Sequence, residues 1–215
     1  MRFPGVYVER GVFVCLEGGE GSGKSTQSRL LREALEAEGF GVVLTFEPGD
    51  TGVGKQLRRI VLDPATGTLS DRCEALLYAA DKAEHVDTVV RPALERGQVV
   101  ITDRYVDSTL AYQGAGRSLD VAEVEEVARW ATGDLRPHLT VVLDLEPSAG
   151  RGGFEGRDRI EGESLEFHRR VREAFVAMAA ASPEHYLVLD ARSPIAEIHA
   201  AIMTRLRPLL TQAVR

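Results

Sequence analysis

Short apolar runs alternate with longer stretches of helical period along this chain. Val12-Phe13-Val14-Cys15-Leu16 is the first such run, and others lie at 42–46, 99–102, 139–145 and 186–189. Brief, nearly continuous apolar runs bounded by polar turns are the pattern of strands buried on both faces. Between them, residues 25–38, 53–62, 72–95, 121–132, 164–181 and 194–210 carry apolar positions three and four apart, which predicts helices. In the first of these Leu30, Leu31, Ala34 and Leu35 form the stripe, and Gly39 stands where a helix C-terminal cap is expected. Strands and helices in strict alternation predict a three-layer α/β/α domain around a five-stranded parallel sheet.

Two segments break the alternation. One is the turn-rich Glu47-Pro48-Gly49-Asp50-Thr51-Gly52. The other is the insert at about 146–162, which carries Gly150, Gly152, Gly153 and Gly156 among arginines and acids. A polar, glycine-rich insert after the fourth strand predicts a short lid rather than a packed element. In open α/β sheets the ligand lies beyond the C-terminal strand ends, where the loops at Gly18, Glu47, Asp103 and Glu146 are all expected.

The loop after the first strand carries the strongest chemistry. Gly18-Gly19-Glu20-Gly21-Ser22-Gly23-Lys24-Ser25 matches the G-x-x-x-x-G-K-[ST] phosphate-binding loop, and it sits between a predicted strand and a predicted helix as that motif requires. Glycines let backbone N–H groups approach a polyphosphate, and the helix N-terminus adds favourable dipole charge. Lys24 reaches β- and γ-phosphate oxygens, the Ser25 hydroxyl suits a Mg²⁺ ligand, and Thr26 continues the helix start. A bare match of this kind also arises in ordinary glycine-rich turns; the strand–loop–helix context decides for nucleoside triphosphate binding. A second candidate is the end of the third strand, Asp103-Arg104-Tyr105. Asp103 there could support Mg²⁺ and Arg104 could grip a phosphate in a fork, although on its own an Asp–Arg pair is usually a plain ion pair.

Composition narrows the classes. With 215 residues and 44% apolar content the chain can build one domain with a substantial core, read here as an extension at 1–11 and a single domain at 12–215. A net charge of −7 argues against nucleic-acid polymers or anionic membranes as the main partner, while leaving room for a local basic pocket that binds a small anion. Cys15 and Cys73 are too few for a metal or redox site. No apolar run reaches membrane-spanning length and residues 1–11 lack a signal-peptide core, so the expected address is cytoplasmic.

Beyond the loop, the chain resembles the bacterial thymidylate kinase family. The resemblance is carried by Leu16 to Gln27, by Glu47-Pro48-Gly49, and by Leu76-Leu77-Tyr78-Ala79-Ala80-Asp81-Lys82-Ala83-Glu84-His85. It continues in Asp103-Arg104-Tyr105-Val106-Asp107-Ser108-Thr109-Leu110-Ala111-Tyr112-Gln113-Gly114, in Asp158-Arg159-Ile160-Glu161 and in Leu165-Glu166-Phe167-His168. The resemblance implies ATP-dependent phosphorylation of dTMP to dTDP, feeding dTTP synthesis, with Mg²⁺ alongside ATP and with a homodimer as the working form. It implies Lys24, Arg104, Arg159 and Glu20 as catalytic residues, Gly18–Thr26 as the ATP site, and Ser25 and Asp103 as the metal side. For dTMP it implies Glu47, Arg58, Tyr78, Asp81, Lys82, Arg104, Ser108, Thr109, Tyr112 and Gln113. Within that set Arg104, helped by Arg58, holds the acceptor phosphate, and Tyr78 stacks on thymine. Lys82 donates to a thymine carbonyl, Thr109 and Gln113 line the base edge, and Tyr112 packs under the deoxyribose. Asp81 orients Lys82 or Arg104, and Glu17 fastens Arg104 or the water shell of the metal. Glu20 stands either beside the transferred phosphoryl or simply in water.

Several positions depart from the family pattern. Tyr78 replaces Phe, Lys82 replaces Arg, Phe46 replaces Arg before Glu47-Pro48-Gly49, and Asp50 replaces the following Gly. The lid is short, offering Arg151, Arg157 and Arg159. These changes leave two alternatives open: a kinase for another nucleoside monophosphate or deoxynucleoside, and a nucleotide-binding regulator without an acceptor.

Overall fold

The computed structural model describes residues 5–8, 10–150 and 158–213. The strands are β1 (Val12–Gly18), β2 (Val42–Phe46), β3 (Val99–Asp103), β4 (Leu139–Asp144) and β5 (Tyr186–Asp190). They form one sheet in the order β2-β3-β1-β4-β5, with every pairing parallel. The helices are α1 (Lys24–Ala37), α2 (Gly52–Leu62), α3 (Asp71–His85), α4 (Arg91–Glu95), α5 (Val106–Thr109), α6 (Val121–Thr132), α7 (Pro147–Gly150), α8 (Leu165–Ala181) and α9 (Ile195–Ala213). The three-layer arrangement expected from the alternation is the one observed.

The central strand shows why the core divides in two. Successive side chains of a strand point to opposite faces. Val12, Val14 and Leu16 accordingly pack with Leu31 and Leu35 of α1 and Ile198, Ile202 and Leu206 of α9. Phe13 and Cys15 pack on the other side with Val86, Val90, Leu94, Tyr105 and Val106. Tyr112, Phe167, Val171 and Phe175 close a third cluster under α8. Register sets the C-terminal edge: Leu16 lies opposite Asp103, and Phe46 lies opposite Asp103 on the other side. The loops after β1, β2 and β3 therefore emerge side by side.

The helix expected at 72–95 is present but not uniform. Its turn at Val86–Val90 is π-helical, between α3 and α4. Pro92 in α4 has no N–H to give the carbonyl four residues earlier, and the ladder widens just before it. A second π segment, Leu110–Gly116, continues α5. The pattern did not predict this helical pair, whose residues are fixed by burial against β1, α6 and α8 rather than by an amphipathic stripe. The extension at 1–11 is tied down where described: Val6 N–H donates to the Asp134 carbonyl at 2.9 Å, and Arg136 N–H donates back to Val6 at 2.9 Å. Of the expected lid, Arg151 and Arg157 lie outside the described residues, while Pro147–Gly150 forms a helical turn. Among the described residues no helix is long and apolar enough to cross a membrane.

Candidate active site

The loop after β1 needs glycine at its start. Gly18 has φ 138°, and a Cβ there would sit 2.4 Å from the Leu143 carbonyl oxygen. That close approach presses the loop onto β4 and aims α1 at its concave side. Lys24, in the first turn of α1, folds back so that Nζ donates to the carbonyls of Gly18 (3.1 Å) and Gly19 (2.9 Å). Burial, with Arg104 nearby, lowers its pKa to about 8. Ser25 Oγ donates to Asp103 Oδ2 at 3.0 Å, so a hydroxyl from the first turn of α1 and a carboxylate from the end of β3 meet at the helix N-terminus. Such hard oxygens suit Mg²⁺. Among the described residues no three His, Cys, Asp or Glu side chains gather to hold an ion, so this pair, phosphate oxygens and water would have to complete the shell.

Arg104 sits at φ 71°, a left-handed conformation that a long side chain adopts at a cost of about 1–3 kcal/mol and that concentrates at functional sites. Its N–H donates to the Leu16 carbonyl (2.9 Å), Nη1 donates to Ser108 Oγ (3.1 Å), and its guanidinium lies 5.0 Å from the Tyr112 ring centre. Glu17 organises this corner. Its fully buried carboxylate accepts from Tyr105 N–H (2.9 Å), Ser108 N–H (3.0 Å) and Ser108 Oγ (2.6 Å). It thus reaches Arg104 through the Ser108 hydroxyl. Burial, with Asp107 nearby, raises its pKa to about 7.

One cavity of about 430 Å³ joins the two halves. Glu20, Lys24, Ser25 and Asp103 line it on the phosphate-loop side, and Arg58, Tyr78, Lys82, Arg104, Ser108, Thr109, Tyr112 and Gln113 line it on the other, with Glu47 and Pro48 beneath. Thr109 Oγ1 is buried there without a hydrogen-bond partner. Gln113 Nε2 donates to Glu74 Oε1 at 3.1 Å, which fixes the amide so that its oxygen lies on the branch away from Glu74. Phe46, standing where the resemblance expects Arg, lies under the Arg58 guanidinium at 5.8 Å from the ring centre, and Arg58 Nη1 donates to the Pro48 carbonyl at 2.7 Å.

Three expected residues stand differently. Asp81 does not line the cavity: its Oδ1 accepts the Gly49 N–H at 3.0 Å, in the loop where the Glu47–Pro48 peptide is cis. It therefore orients the loop backbone rather than Lys82 or Arg104. Lys82 is almost wholly buried, with Nζ 3.1 Å from Glu47 Oε2, so it meets the cavity as half of an ion pair. Burial pushes Glu47 up, but Lys82 and His85 outweigh that and hold its carboxyl below the usual value. Arg159 also lies outside the cavity lining. Its guanidinium donates to the carbonyls of Val61 (2.7 Å) and Gly67 (2.9 Å) and to Glu74 Oε2 (3.2 Å), anchoring the end of the insert to α2 and α3.

The sequence reading missed Glu74. This buried carboxylate of α3 gathers Gln113, Arg159 and Arg117, whose Nε and Nη2 donate at 3.0 and 3.1 Å. An acid in the first turn of a helix ordinarily reads as a dipole partner in water, so no local signal marked it.

Asp81 gives a testable pH effect. Burial, and then the Glu47 charge, raise its pKa from 3.8 to about 6. A folded-state value above the unfolded one contributes stability below about pH 4 that is lost as pH rises through 6. Asp81→Asn keeps an oxygen for the Gly49 N–H and removes the charge. Thermal unfolding should find it as stable as the wild type or more so at pH 8, with the difference closing between pH 6 and 4. A difference that grows on acidification would contradict this.

With this geometry in hand, similarity to known proteins adds a further line. The thymidylate kinase family model matches residues 16–202. The thymidylate kinase of Cutibacterium acnes is 54% identical over 202 residues, covering 94% of this chain and 99% of the relative. That of Clavibacter michiganensis subsp. michiganensis is 55% identical over 204 residues, covering 93% and 96%. A crystal structure of thymidylate kinase from Ehrlichia chaffeensis superposes with a TM-score of 0.77 at 30% identity, covering 92% of this chain and 98% of that one.

Proposed function

This chain belongs to the thymidylate kinase family and phosphorylates dTMP with ATP as donor, and we propose that its cavity carries out the transfer with the residues assigned here. The supporting observation is the single cavity in which Lys24 and Ser25 of the phosphate loop face Arg104, Thr109 and Gln113. A phosphoryl transfer between two nucleotides needs two facing anion sites in one space.

Gly18–Thr26 hold the ATP phosphates on backbone N–H groups and on the Lys24 ammonium. Arg104 grips the dTMP phosphate and is aimed by the Glu17–Ser108 pair. The attacking phosphate oxygen is already anionic, so positioning and charge stabilisation suffice without a strong general base. Ser25 and Asp103 would hold Mg²⁺, which when bound neutralises charge on the phosphates. Glu20, exposed at the cavity mouth, stands on the donor side. Tyr78 supplies a flat face for the base, the free Thr109 hydroxyl and the Gln113 amide meet its polar edge, and Tyr112 lies under the sugar. Arg159 secures the root of the lid in the geometry seen here.

The working form is a homodimer in a cytoplasmic setting. Ile60 of α2, Leu76 of α3, and Val121 and Trp130 of α6 are exposed apolar residues, Trp130 at 85%, and α3 packs against both neighbouring helices. An apolar surface of this kind favours a second copy.

The test is ADP release from ATP–Mg²⁺ with dTMP, dUMP, dCMP, dGMP and AMP in turn. The assignment of Thr109, Gln113 and Lys82 predicts strong preference for dTMP, then dUMP. Equal turnover of dCMP would overturn the base assignment, and turnover without any acceptor would favour a nucleotide-binding regulator.

A further inference from the structure

Beneath the base side of the cavity a line of polar groups, half-buried at Asp50 and buried from Thr45 onward, runs to Lys82. Thr45 Oγ1 donates to Asp50 Oδ2 at 2.5 Å and stands 2.6 Å from His85 Nε2. His85 Nδ1 stands 2.7 Å from Glu47 Oε1, and Glu47 Oε2 is 3.1 Å from Lys82 Nζ. Thr45, Glu47, Lys82 and His85 are all buried.

Hydrogen accounting, with Asp50 and Glu47 ionised, bears on the state of the ring. A hydroxyl has one hydrogen, and the Thr45 hydrogen goes to Asp50, because a carboxylate oxygen can only accept. Toward His85 Nε2 Thr45 can then only accept, so that ring nitrogen must donate. On the other side Nδ1 faces a second carboxylate and must donate as well. With both carboxylates ionised, this arrangement asks for a hydrogen on each ring nitrogen of His85. Other titratable groups lie near the line: Asp81, on the same helix, whose Oδ1 is taken by the Gly49 N–H, Tyr78, whose ring centre is 5.8 Å from Lys82 Nζ, and Cys15 and Tyr105, which feel the Glu47 charge. In that state Asp50, Glu47, His85 and Lys82 balance to zero.

We propose that Asp50 is a positioning residue for the acceptor base: through Thr45 it keeps His85 doubly protonated, so that Glu47 is shared between two cations and Lys82 keeps positive charge for a base carbonyl. Without the Asp50 carboxylate, Thr45 could turn its hydrogen to Nε2, the ring would need one proton only, and Glu47 would neutralise Lys82 alone. Asp50 and Lys82, both departures from the family pattern, thereby act as one device. The assignment rests on the base-pocket reading above.

The test uses the full chain with ¹⁵N-labelled histidine. The chain has five histidines, and His85→Gln assigns the relevant signals. The expected result near neutral pH is a doubly protonated His85 ring in the wild type and a singly protonated ring in both Asp50→Ala and Thr45→Val. In steady-state assays Asp50→Ala should raise the KM for dTMP about fivefold, the scale of one hydrogen bond, with kcat and the KM for ATP little changed. A singly protonated ring in the wild type overturns the proposal, as does an unchanged KM for dTMP in folded Asp50→Ala. Failure of the wild type to phosphorylate dTMP would instead sink the functional reading, while the ring spectrum would still test the relay.

Discussion

Replacing Lys24 by alanine is expected to lower kcat by about a thousandfold or more, in the range seen when a preorganised positive group is removed from a developing oxyanion. The ammonium stands in the concavity of the loop, held by the Gly18 and Gly19 carbonyls, and lines the same cavity as Arg104. Its polar contacts are confined to that loop, so the sheet and both halves of the core should survive. ADP release with saturating ATP and dTMP measures the loss, and circular dichroism with thermal unfolding checks the fold. A folded variant within tenfold of the wild type would remove Lys24 from the transfer step.

Arg104→Ala should be comparably severe but should divide differently between the constants. The guanidinium lies on the acceptor side, against Ser108 and Tyr112. Its loss should reduce kcat/KM for dTMP by about a thousandfold, while the KM for ATP stays within a few-fold. Arg104→Lys restores charge without the planar fork and should recover only part of the rate. The backbone conformation at φ 71° suits alanine no better than arginine, so the comparison is not confounded by a relaxed loop. An equal rise in the KM for both substrates would contradict the separation of donor and acceptor sides.

The legible parts of this chain are those set by local pattern. Alternation in Val12–Gly18 divides the two core faces, and the glycine-rich loop declares itself because phosphate binding requires backbone geometry that few residues permit. Arg104, Thr109 and Gln113 were readable from the resemblance, and the structure brings them to one cavity. Long-range pairings were not legible. Glu74 meets Gln113, Arg117 and Arg159 only after α3, the π segment after α5 and the insert have packed together. Arg159 aligned with a catalytic lid position, yet its partners in this structure are the Glu74 carboxylate and carbonyls of α2 and the loop beyond it. Asp81 and Lys82 are adjacent in sequence, but one faces the Gly49 backbone and the other the cavity, a division that follows from helical geometry and the position of the Glu47 loop. The helical pair from Val106 to Gly116 lacked a stripe because it is buried nearly all round.

The most direct measurement is transfer of label from γ-³²P-ATP to unlabelled dTMP by the purified protein, with products separated by charge. Two facing sites in one cavity predict label in dTDP, dependent on dTMP, with little free phosphate. Label appearing only as inorganic phosphate, unchanged by dTMP, would contradict the assignment of Arg104, Thr109 and Gln113 as an acceptor site.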